Sequence, residues 1–209
     1  MGDLYLEKIV RRAPTIPVIL LRTVILFGAA AISWLIMVIV LNPESGLAQF
    51  SQIFLLLVAA ILFFAYRLFT SFNIEHEYIV TNGEIDIDKI VSKRTRKRLC
   101  TIPPLEVEIM APYDEEHKHY YDNNGEFAKT FDTTTSKYSK DIWLIVANTK
   151  KYGRLRVLFE PTDRMIENMR EHMPRKVELP KGFVLPSEAA RIAEAEAAAK
   201  AADDEDDDE

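Results

Sequence analysis

Two long apolar runs open the chain and short alternating runs follow, so the hydrophobic pattern divides the sequence before any composition is counted. Thr23 to Leu41 is nineteen residues without a charge, and Leu47 to Tyr66 is twenty. At 1.5 Å per residue the shorter run makes a helix of about 28 Å, close to the ~30 Å of a bilayer's hydrocarbon core. Asn42-Pro43-Glu44-Ser45-Gly46 separates them with a proline that cannot continue a helix and a glycine that turns freely. The pattern predicts two transmembrane helices, about 23–41 and 47–66, in a hairpin occupying 16–72 behind an N-terminal segment, 1–15. Both termini then lie on one side.

Past Phe72 the period shortens to two. Glu77 to Thr81, Asn82-Gly83 and Glu84 to Ile90 read as a hairpin, because Asn-Gly accepts the positive φ that both centres of a two-residue type I′ turn need. Ile85, Ile87 and Lys89 share one face and Asp86, Asp88 and Ile90 the other, which makes the hairpin partly wet. A basic connector from Ser92 to Arg98 leads into Leu99 to Ile102, and beyond Pro103-Pro104 the alternating Leu105 to Ile109 gives a fourth strand. Ile142 to Ala147 reads as a core strand and Arg154 to Phe159 as an alternating sixth, with Tyr152-Gly153 in the turn between them.

Pro161 suits the first position of an amphipathic helix in which Met165, Ile166, Met169 and His172–Met173 recur at three- and four-residue spacing until Pro174. The expected domain, 73–176, is mostly β: about six strands in a small, partly open barrel, with one C-terminal helix capping the open end. It carries a long insertion, 113–140. Residues 177–209 read as an extended linker, an Ala/Glu helix capped by Ser187, and seven consecutive acidic residues from Asp203 without fixed structure.

This order of elements resembles bacterial pleckstrin-homology-like (PH-like) domains carried on membrane anchors. It runs strand, Thr81-Asn82-Gly83, strand, the connector Lys93 to Arg98, strand, Pro103-Pro104, strand, two core strands and a helix, over roughly residues 75–175. The whole chain is similar to small two-helix bacterial membrane proteins of unknown function, sharing Thr81-Asn82-Gly83-Glu84, Asp86 to Ile90 and Ile109-Met110-Ala111-Pro112. The resemblance implies a PH-like fold and supplies no activity.

Charge sharpens the topology. The net charge of −6 belongs to the C-terminal tail, since 67–186 holds 20 basic against 19 acidic residues. No domain-wide positive field points to nucleic acid. Lys8, Arg11, Arg12, Arg22 and Arg67 flank the termini side of the apolar runs, whereas the connecting loop has only Glu44, which predicts a multi-pass cell-membrane protein with both termini cytoplasmic. One cysteine, Cys100, cannot form an internal disulfide, and beside Leu99 and Ile102 it reads as a buried, inert thiol.

Two segments carry candidate contacts. Lys93, Arg94, Arg96, Lys97 and Arg98 are five basic residues in six positions, tethered close to a leaflet where each basic group contributes about 1 kcal/mol toward anionic lipid. A solvated hairpin tip whose charges only maintain topology accounts for them equally well. The insertion brings Tyr113, Tyr120, Tyr121, Phe127, Phe131 and Tyr138, which can dock a partner, against the commoner reading of a flexible excursion. His117 and His119 sit among Asp114, Glu115 and Glu116, but no third ligand is anchored at a fixed spacing, so neither metal nor cofactor is expected. Catalytic signatures are missing and no enzyme is expected. The function read from this is a membrane-anchored binding or scaffold module meeting lipids or a protein partner, with homo-oligomerisation compatible. The alternative is an accessory subunit of a membrane complex that touches its partner through the helices.

Overall fold

A computed structural model describes residues 5–117 and 127–206, with side chains as far as residue 197. The first described element, β1 (Tyr5–Arg11), precedes the apolar runs, and its neighbour β2 (Ile74–Thr81) follows them. With β3 (Glu84–Val91) and β4 (Thr95–Ile102) they make a four-stranded sheet in the order β1-β2-β3-β4. The hairpin is therefore an insertion between two paired strands. Val10 of β1 is buried in the core and Leu6 packs against it, so the segment read as lying outside the β domain is its first strand.

Helix α1 (Ile16–Leu41) begins before the uncharged run, with Thr15 at its N-cap and a proline in its first turn, where a missing N–H costs nothing. Helix α2 (Ser51–Ser71) continues past Tyr66 because Arg67 ends the uncharged run without ending the helix. Both helices are long and apolar enough to cross a membrane, and almost none of either is buried within the chain.

The second sheet has the order β5-β7-β8-β6, from β5 (Val107–Pro112), β6 (Lys129–Asp132), β7 (Trp143–Thr149) and β8 (Gly153–Phe159). Strands β7 and β8 pair antiparallel from Trp143↔Phe159 to Thr149↔Gly153, β5 pairs antiparallel with β7, and β6 lies parallel to β8 from Lys129↔Leu155 to Asp132↔Leu158. The described strands number eight rather than about six, and the two sheets are not closed into a barrel. Leu105, expected in a strand, sits in the turn before β5, 92% exposed.

Helix α3 (Asp163–His172) starts at a Thr162 cap rather than at Pro161, the Thr162 hydroxyl accepting the Met165 N–H at 3.3 Å. Its buried face, Met165, Ile166 and Met169, belongs to the same buried cluster as Tyr78, Ile85, Ile145 and Phe159. The expected linker is docked as well as extended. Met110 donates its N–H to Lys176 and accepts from Glu178, at 2.7 and 2.9 Å, and Phe183 meets the edge of Trp143. Helix α4 (Pro186–Asp206) runs into the acidic stretch read as unstructured. By contacts the chain forms two compact units, one of Met1–Val10, His76–Lys89 and Lys97–Glu209, the other of Arg11–Glu75 and Ile90–Arg96.

Candidate functional site

The second unit joins the helix ends to the tip of the β3–β4 hairpin. What the sequence presents as a long basic connector is a tight turn: Ser92 and Lys93 both have positive φ, 56° and 57°, and the Arg94 N–H closes onto the Val91 carbonyl at 3.1 Å. Strand β4 starts at once, so most of the basic residues are strand residues. Ser92 is fixed from two directions, its N–H donating to the Asn73 carbonyl at 2.8 Å and its hydroxyl to the Thr70 carbonyl at 2.5 Å. The chain entering and leaving the hairpin is also tied together. The Arg12 N–H donates to the Ile74 carbonyl at 3.0 Å, and the Arg22 guanidinium donates to Asn73 Oδ1 at 2.8 Å while lying 5.2 Å from the Phe69 ring. Beside these bonds lies an open cavity of about 190 Å³ whose charged lining is Arg11, Lys93, Arg94 and Glu75, with Tyr66 and Thr70 of α2.

The five basic residues divide. Lys93 and Arg94 line this cavity; Arg96 and Lys97 are exposed on β4; Arg98 is ion-paired to Asp86 and Asp88. The hydrogen bond to Asp88 is the largest reason the Arg98 guanidinium is held above its ordinary value. Cys100, next along β4, is buried and its thiol is pushed up to about 12, first by burial and then by the Asp86 carboxylate. Arg11 was missed by the sequence reading. Its position is remote from Lys93 in sequence, and the run Tyr5 to Arg11 carries no period-two alternation that would mark it as a strand.

The insertion's described aromatics have different surroundings. Phe131 packs on the core edge-to-face with Tyr152 at 5.7 Å, and Phe127 lies under the guanidinium groups of Arg154 and Arg156 at 5.0 and 5.1 Å. Tyr113 is partly exposed and Tyr138 is 94% exposed; Tyr120 and Tyr121 lie outside the described residues. From Phe127 onward the insertion is part of the fold. Tyr78 donates its hydroxyl to the Thr133 carbonyl at 2.6 Å, and Thr135 donates its N–H and hydroxyl to the Glu160 carboxylate at 2.8 Å each.

His117 faces two carboxylates, Asp114 at 2.5 Å and Glu178 at 3.3 Å. Partial burial opposes the charged form of Asp114, but hydrogen bonds from the His117 ring and backbone outweigh it and hold the carboxyl below its ordinary value. His119 lies outside the described residues, among which no group of three potential ligands converges on a metal position.

The chain matches a family described as "Bacterial PH-like domain (DUF6106)" over residues 2–179. The match takes in β1, both helices, both sheets and α3 as one unit of sequence. No curated protein and no solved structure matches the chain.

Proposed function

The chain belongs to the bacterial PH-like domain family, and we propose that it is a membrane-anchored binding module presenting that domain at the cytoplasmic face of the cell membrane, where it engages lipid headgroups or a protein partner. The observation that carries this reading is the place of the hairpin: two apolar helices interrupt the sheet between β1 and β2. Only Arg12 to Thr15 and Phe72-Asn73 separate helix from strand. A hairpin added to a finished domain as a tether would have no reason to divide two paired strands. The basic flanks, Lys8, Arg11, Arg12, Arg22 and Arg67, against Glu44 alone in the loop, support a cytoplasmic domain. The role is non-enzymatic and needs no cofactor; the one thiol, buried and pushed up to about 12, offers no nucleophile at neutral pH.

A cysteine replacing Ser45 is expected to react with an impermeant maleimide on intact cells. Tyr138→Cys, at a 94% exposed position, is expected to react only after permeabilisation, with Cys100 silent throughout as an internal blank. Labelling of Tyr138→Cys from outside reverses the topology, and release of the chain from membranes by alkaline carbonate removes the anchor. One observation favours a second reading, in which the chain is an accessory subunit that meets its partner through the helices. Their apolar faces are almost unburied within the chain. A co-purifying protein that stays bound to a chain truncated after Phe72 supports that reading.

A further inference from the structure

Three cations line the 190 Å³ cavity at the end of α2, and none of them is ion-paired among the described residues. Among the described residues, the side chains of Arg11, Lys93 and Arg94 have neither a hydrogen bond nor an ion pair. Several basic groups elsewhere are engaged: Arg98 with Asp86 and Asp88, Arg154 with Glu108, Lys181 with Glu116, and Lys176 with the carbonyls of Pro104 and Leu105. Glu75 is the one carboxylate in the lining, which leaves two positive charges in excess. The neutral lining also favours an anion. Asn73 Oδ1 is taken by Arg22, so the Asn73 amide has its N–H donors left to offer, and the Tyr66 hydroxyl adds another.

The backbone is strained at the same place. Ser92 and Lys93 are two successive non-glycine residues in the left-handed region, a costly conformation that persists where the surroundings fix it. Here the Asn73 and Thr70 carbonyls do so, and the result is that Lys93 and Arg94 border the cavity with Arg11.

We propose that this pocket binds a single phosphate group. Guanidinium groups match phosphate oxygens in a planar, two-pronged geometry, and a compact ammonium adds a point charge. At about 190 Å³ the space is below the roughly 300–1,000 Å³ of pockets for drug-sized molecules, and it suits a phosphate with a short ester rather than an acyl chain. The phosphate can come from an anionic lipid headgroup or from free phosphate in solution; the first source rests on the membrane-anchored reading above, the pocket itself does not.

The test uses the full chain in dodecyl maltoside, titrated calorimetrically with dihexanoylphosphatidylglycerol, dihexanoylphosphatidylcholine and inorganic phosphate. One phosphatidylglycerol per chain is expected to bind. Arg11→Gln and Arg94→Gln are each expected to raise the Kd about fivefold or more, the size of ~1 kcal/mol per basic group. Lys97→Gln, the same charge change on β4 outside the pocket, is expected to alter it less than about twofold. Binding of phosphatidylglycerol without inorganic phosphate identifies a lipid source; equal binding of both identifies free phosphate. Binding of neither, or a Lys97→Gln loss as large as that of Arg94→Gln, overturns the pocket. Either failure leaves the anchor reading standing, because labelling at Ser45 measures that separately.

Discussion

The turn between β2 and β3 and the turn between β3 and β4 each carry two successive residues at positive φ, yet they are built from opposite kinds of residue. Asn82 and Gly83, at 51° and 78°, are the pair that tolerates this backbone best. Ser92 and Lys93 hold nearly the same φ angles without a glycine. The first turn is fastened to the protein interior, since the Gly83 N–H donates to Asn168 Oδ1 at 3.0 Å and the glycine lies under α3. The second is fastened to the ends of the apolar hairpin and presents its side chains to a charged cavity. One turn follows the lowest-energy sequence because it serves packing; the other departs from it where side-chain chemistry is wanted.

The largest effect expected from this contrast is at Gly83. A Cβ there would lie 2.5 Å from the His172 Cβ, a stiff part of the side chain, and the backbone is in the left-handed region as well. Gly83→Ala is expected to cost about 2–4 kcal/mol from strain and overlap together. In a thermal melt followed by circular dichroism the midpoint should fall by at least about 5 °C. An unchanged midpoint would show that α3 yields freely and that the first turn is no more constrained than the second.

A smaller loss is expected at the partner of that turn. Asn168 is 2% exposed and holds the buried Gly83 N–H. Asn168→Leu keeps approximate volume but removes the acceptor, so a buried donor is left unsatisfied at about 1–3 kcal/mol. The same melt reads it, and combining it with Gly83→Ala should give less than the sum, since both act on one contact.

What could be read in the sequence follows the same division. Asn82-Gly83 was legible because the residues themselves state the backbone, and the apolar helices because no charge interrupts them. Strands β7 and β8 were legible from Ile142 to Ala147 and from the alternation after Arg154. Strand β1 was not: its seven residues find their partner on the far side of both helices, and a pairing that distant leaves no local mark. Strand β6 was hidden because Lys-Thr-Phe-Asp is a four-residue edge strand, parallel to β8, with little of itself buried. In the candidate site the density of basic residues was plain, but their division was not. Ser92-Lys93 carries no turn signature, so the start of β4 and the pairing of Arg98 with Asp86 and Asp88 could not be placed, and Arg11 depended on an unseen strand.

The smallest expected effect is the most discriminating, because it carries the opposite sign. At Lys93 the positive φ is occupied by a residue that pays steric strain, so Lys93→Gly removes a Cβ where a glycine fits. Glycine also widens the unfolded ensemble, which offsets part of the gain. The net expectation is a rise in stability of about 0.5–1 kcal/mol, or a midpoint higher by about 1–4 °C. The same change removes one of three cations that have no ion pair, so phosphate affinity should fall about fivefold. Opposite movement of the two readouts in one variant is what a turn shaped for binding produces. A variant that loses stability along with affinity would mean that the Lys93 side chain supports the fold, and the contrast between the two turns would reduce to packing at both. A variant that gains stability and keeps its affinity would leave Arg11 and Arg94 as the phosphate contacts and give the strain at Lys93 no role in the pocket.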